Sequence, residues 1–145
     1  MRKGYGLNVF RIPVHPLNNG GYEATTVGLH RDVFQHENYS YLHPSIAVDL
    51  FKNLAIQFIR VPRHKDSVEK PQIRTKVKFS QDTAWRDSQV AKEWTVAFND
   101  DQKFDYSWIV RDPFNIAHFW HAHRLRTGTK GMWVGRIDLN SQPAP

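Results

Sequence analysis

Residues Ser45 to Arg60 read SIAVDLFKNLAIQFIR and overlap the longest apolar passage of the chain, Ile46 to Val61. Ala47, Phe51, Leu54, Ala55 and Phe58 recur at i, i+4, i+7, i+8 and i+11, the spacing of one stripe along an α-helix. Leu50 and Ile59 widen the stripe; Asp49, Lys52 and Asn53 fall outside it. Ser45 is placed to act as N-cap, its hydroxyl accepting an otherwise orphaned backbone N–H. Pro62 closes the run, because the residue before a proline is disfavoured in helical geometry. The pattern predicts an amphipathic helix over about residues 45–60. The interruptions at Asp49, Lys52, Asn53 and Gln57 argue against a transmembrane span.

Moving outward from this passage, Ile73 to Ser80 alternates strictly. Ile73, Thr75, Val77 and Phe79 fall on one face, with Arg74, Lys76 and Lys78 on the other. This predicts a half-buried strand with a basic outer stripe. A short helix is expected within Asp82 to Ala91. Trp94 to Phe98 and Phe104 to Val110 flank the polar turn Asn99-Asp-Asp-Gln102, a hairpin signal in which Phe104, Tyr106, Trp108 and Val110 share a face. Asp112-Pro113 is a helix start, with Asp as N-cap and Pro at the first helical position. It predicts a second helix to about Arg124, carrying Phe114, Ile116, Ala117 and Trp120. Thr127 to Gly131 reads as a turn and Met132 to Leu139 as a final strand. Near the start, Leu7 to Val14 is β-prone, Asn18-Asn-Gly-Gly21 is a turn signal, and Tyr22 to Leu29 reads as a strand pairing back. Hairpin strands with two main helices predict an α+β class with an antiparallel sheet. The 145 residues accommodate one domain, 1–145, with extended N- and C-terminal segments.

The 20 Lys and Arg against 14 Asp and Glu give a formal charge of +6, which favours anionic partners. Seven bases lie between Arg60 and Lys78, and five between Arg111 and Arg136, on either side of an acidic stretch. Arg60, Arg63, Lys65, Arg74, Lys76 and Lys78 are the candidate nucleic-acid or anion contacts. The same bases also read as solvated charges that discourage edge-to-edge aggregation. This strand lacks aromatics interleaved with its bases, so any RNA contact made by it is expected to follow the backbone, without reading sequence. With no cysteine, the chain excludes disulfides, thiolate metal sites and a cysteine nucleophile. The opening Met1-Arg-Lys-Gly-Tyr-Gly6 has no apolar run after its two bases, so no secretory signal is expected.

The sharpest local feature is His118-Phe-Trp-His121-Ala-His123. In a helix, His118 and His121 are i, i+3 neighbours able to share a metal. In a strand, His121 and His123 share a face. In that strand form His121-Ala122-His123 resembles the histidine–hydrophobic–histidine motif of single-strand nicking endonucleases. The resemblance covers three residues and implies a divalent metal and a nearby tyrosine nucleophile; no tyrosine follows Tyr106. Phosphate-loop, dinucleotide and serine-hydrolase signatures are absent from the sequence.

Five Trp, nine Phe and five Tyr exceed what one small core needs, and Trp and Tyr are enriched at interfaces. The expected function is a non-catalytic structural subunit of a large assembly. A ribonucleoprotein of the organellar-ribosome kind, with RNA and neighbouring proteins as partners, is the leading form. The expected compartment is intracellular, on the mitochondrial matrix side. Alternatives are an accessory subunit of a mitochondrial respiratory complex, a viral or phage structural protein, and a metal-dependent enzyme using His118, His121 and His123 with a divalent metal.

Overall fold

The computed structural model describes residues 4–64, 66–95, 103–127 and 129–143. They form β1 (Leu7–Arg11), β2 (Val14–Pro16), β3 (Tyr22–Ala24), β4 (His30–Phe34), β5 (Tyr39–Val48), β6 (Leu54–Pro62), β7 (Gln72–Lys78), β8 (Gln89–Glu93), β9 (Lys103–Arg111), β10 (His118–Thr127) and β11 (Thr129–Asp138). Among the described residues the only helical element is a single 3-10 turn, Leu139–Ser141. The chain is therefore almost all β, and the expected α+β class with two main helices is corrected. Among those residues no helix is long and apolar enough to cross a membrane.

Among the described residues every strand pairing is antiparallel. The central sheet runs β5-β6-β7-β8, a second sheet β11-β10-β9, and two small sheets pair β1 with β4 and β2 with β3. β9 lies alongside β5, so the two larger sheets meet along that side.

The predicted helix over 45–60 is instead the end of β5, a turn, and most of β6. The physical reason is three-layer packing. One face of the central sheet offers Ala55 and Val77 to Ile109, Phe119, Ile137 and Leu139. On the same face Ile59, Val61 and Ile73 pack with Trp94 and the half-buried Trp133. On the other face Ile56 and Phe58 pack with Leu7 and Val9 of β1, backed by Phe34, Tyr41 and Trp85. With both faces of β6 covered, its residues are apolar at odd and even positions alike. Such a run has no strand period to display and mimics a buried helix.

The turn between β5 and β6 is built by Asp49. Its Oδ1 accepts from the backbone N–H of Phe51 and of Asn53 at 2.8 Å each, and its Oδ2 accepts from Asn53 Nδ2 at 2.7 Å. Lys52 takes the left-handed conformation, φ 65°. An aspartate that bonds the following N–H groups offers the backbone an alternative to the helix. Asp49→Ala is expected to destabilise the fold by about 1–2 kcal/mol, read as a lower denaturant midpoint. An unchanged midpoint would show that the turn does not depend on this carboxylate.

The second predicted helix is also corrected. Asp112 does cap: its Oδ1 accepts from the N–H groups of Phe114 and Asn115 at 2.8 and 3.1 Å. The chain makes one turn there and enters β10 at His118, where both neighbouring strands supply ladder partners. The short helix expected within 82–91 is absent, and Gln89–Glu93 pairs with β7 as a fourth strand. Residues 96–102, which include the predicted hairpin turn, lie outside the described residues, and β9 pairs with β10.

Candidate functional site

β10 is the middle strand of its sheet, and strand alternation splits the histidine cluster. His121 and His123 point into the interface between the two larger sheets, each 1% exposed. His118 belongs to the opposite set. Its Nδ1 is 4.0 Å from Asp112 Oδ2, and its Nε2 is 3.7 Å from Asp138 Oδ2. The structure brings two of the three predicted ligands together and leaves the third on the other face. Among the described residues no group of three or more His, Asp or Glu could hold a metal ion. Tyr106 is the extra residue of a bulge in β9 and is exposed, whereas the imidazoles are enclosed. The arrangement implied by the nicking-endonuclease resemblance therefore extends no further than the strand itself.

The buried imidazoles belong to a polar stitch across the core. Gln57, fully buried in β6, donates from Nε2 to the carbonyl oxygens of Trp108 (2.6 Å) and Ala122 (3.2 Å). Its Oε1 lies 2.7 Å from His121 Nδ1. Because the amide nitrogen is committed to two carbonyls, the amide oxygen must accept. His121 therefore carries a proton on Nδ1. Its ring stands edge-on to Trp133, with centroids 4.9 Å apart. Burial pushes His121 down to about 4 from the ordinary 6.5. Burial, then the like charges of His121 and His43, hold His123 at about 4 as well. These are properties of neutral, packed side chains. They give the sheet interface its register more directly than they suggest proton transfer.

The six predicted anion contacts are mostly engaged by their own fold. Arg60 lies over the Tyr39 ring, 4.1 Å from its centroid. Arg63 donates to the carbonyl of Glu37 at 2.7 Å. Arg74 donates to Ser88 Oγ, Ser88 O and Gln72 Oε1 at 2.6–2.8 Å. Lys76 sits 5.0 Å from the Phe34 ring centroid, and Lys78, which is buried, donates to Thr83 O at 2.9 Å. Lys65 lies outside the described residues. The basic stripe on β7 thus faces the β1–β4 layer. Burial lowers the pKa of Arg74 and of Lys76, and the nearby Arg60 lowers Arg74 further. Around Arg60 the surface carries Lys70 together with Glu69 and Glu93, so its charges are of both signs.

The outer face of β9–β10–β11 is different. It exposes Tyr106 (75%), Trp108 (55%) and Trp120 (39%), together with Met132, Val134 and Arg136. Register sets these out in rows: Val110–Trp120–Arg136, then Trp108–Ala122–Val134, then Arg124 beside Met132 and Asp105. Tyr106 is the extra residue of the β9 bulge, at φ 56°, and the Arg124 guanidinium carbon is 5.9 Å from its ring centroid. Trp120 is anchored, its indole N–H donating to Asp112 Oδ2 at 2.8 Å. The face was invisible to one-dimensional reading, because its rings and cations come from three strands. The period-two aromatics of 106–110 were its one legible trace.

No family model, curated protein or solved structure matches this chain.

Proposed function

We propose that this protein is a non-catalytic binding subunit of a larger assembly, with a ribonucleoprotein as the assembly that fits its charge best. The observation that carries the reading is the aromatic outer face of β9–β10–β11. Three large rings, a methionine and a valine on one sheet face are an unusual load for a free surface, and contiguous patches of this kind mark interaction sites. The net charge of +6 favours an anionic component in the assembly. The depressions among the described residues are open. One lies between the N-terminal segment, the β4–β5 connection and Arg63, and is lined by Tyr5, Gln35, His36 and Glu37.

Gentle native purification tests this reading. The chain is expected to migrate with larger material, and ribonuclease is expected to release it. Raising salt from about 50 to 200 mM is expected to weaken the association steeply, because each phosphate contact releases counterions. A well-behaved monomer with no co-migrating partner would defeat the proposal.

A further inference from the structure

We infer that the outer face of β9–β10–β11 binds single-stranded nucleic acid by stacking unpaired bases on Trp120, Trp108 and Tyr106, with Arg124 and Arg136 meeting the phosphates. This rests on the binding-subunit reading and names the ligand of its exposed face.

Four observations support that occupant. First, the rings form a line. Trp120 on β10 and Trp108 on β9 stand in adjacent rows, and Tyr106 follows at the bulge. Rows two residues apart along a strand are separated by about 7 Å, so neighbouring rings can each take a base without competing for one. Second, Trp120 has given its indole N–H to Asp112. What is left to a ligand is the apolar part of the ring, and stacking on it suits any base and reads no sequence. Third, cations stand among the rings. Arg136 is in register with Trp120, and Arg124 approaches the ring of Tyr106. Fourth, the carboxylates described on this face lie at one end of it. Asp112 and Asp138 bound the face at its His118 end, where Asp112 accepts from Trp120 and two backbone N–H groups. An oligosaccharide would call for hydroxyl-binding amides and carboxylates between the rings, and a purely apolar protein partner would not call for the guanidinium groups.

The bulge at Tyr106 has a role in this arrangement. A regular β9 would send residue 106 to the same side as 108 with its ladder intact. Instead Tyr106 is left out of the ladder in left-handed geometry, 75% exposed.

The test is fluorescence anisotropy of the full chain with labelled oligo-U and oligo-dT of about 12 nucleotides, against a duplex of equal length. The single strands are expected to bind more tightly than the duplex. Trp108→Ala is expected to weaken single-strand binding about tenfold or more, since one base–aromatic stack is removed. Trp108→Phe should stay within about threefold of the parent, and Phe114→Ser, at an exposed ring off the sheet, should change nothing. Circular dichroism of each variant confirms that the fold is kept. Equal affinity for duplex and single strand, or an unchanged affinity in Trp108→Ala, overturns stacking. If Arg74→Gln then weakens RNA binding, the nucleic-acid reading survives on β7 without the platform. If no oligonucleotide binds but native purification returns a protein that shields Trp108, the subunit reading stands and stacking falls. If neither occurs, both are wrong.

Discussion

Acidification from pH 7.5 to 5 is expected to cost this protein on the order of 4 kcal/mol of folding stability, well before its carboxylates titrate. The source is the pair His121 and His123. Both are held at about 4 in the folded chain, against 6.5 when exposed. Between those values the unfolded chain binds protons that the folded chain refuses, so stability falls as pH falls. The contribution is complete above about 6.5 and is lost down to about 4. One pKa unit is about 1.4 kcal/mol, which makes roughly 2 kcal/mol per histidine by pH 5 and about 3 by pH 4. Against a typical total of about 5–15 kcal/mol, this brings the chain close to unfolding near pH 4. Asp32, Asp82 and Asp112 have lowered pKa values and add the same sign of effect, but only below the ordinary carboxylate value of 3.8. The windows are therefore separable. Denaturant midpoints at pH 7.5, 6 and 5 give the measurement, and His123→Gln should remove about half of the slope. A midpoint that stays level from pH 7.5 to 5 would mean that water reaches these imidazoles.

Removing the amide that joins the sheets is expected to be nearly as damaging. Gln57→Leu strips a partner from His121 Nδ1 and a donor from the carbonyls of Trp108 and Ala122. Each buried polar group left unpaired costs about 1–3 kcal/mol, so a loss of about 3 kcal/mol is expected. Adding His121→Phe should recover part of it, because two apolar partners leave no orphaned N–H on that ring. The remainder should persist through the carbonyls. Urea unfolding of the two single variants and the double variant forms the cycle. If Gln57→Leu alone matches the parent, the stitch carries no stability. If the double variant is merely the sum of the singles, Gln57 and His121 are not coupled.

The contrast between β7 and β6 shows why part of this fold was readable from residues alone. Ile73, Thr75 and Val77 alternate with Arg74 and Lys76, and a strand emerges because its two sides meet different company. β6 meets apolar company on both sides. Its Ala55, Ile56, Phe58 and Ile59 carry no alternation, and their spacing satisfies a helical stripe by coincidence of two strand faces. Asp112-Pro113 teaches a similar lesson. The capping bonds form as the local chemistry requires, but a cap opens only one turn, and strand partners on both sides then take the chain into β10. The histidine motif was legible as a conditional: in a strand, His121 and His123 share a face. What buries them, and what separates His118 from them, lies in residues far away along the chain.

The amino-acid order by itself determined the positive charge, the absence of thiol chemistry, the Asn18–Gly21 reversal and the alternating strand at β7. These follow from composition or from contacts a few residues apart; the reversal closes with Leu17 N–H donating to Gly21 O at 2.8 Å. Only the tertiary structure decided that the apolar passage at 45–60 extends instead of winding. It also turned the basic stripe inward, with Lys76 against Phe34, and set Trp108, Trp120 and Arg136 in adjacent rows on an open face. Those outcomes depend on which surfaces remain to be covered once distant strands have paired, and that information is spread over the whole chain.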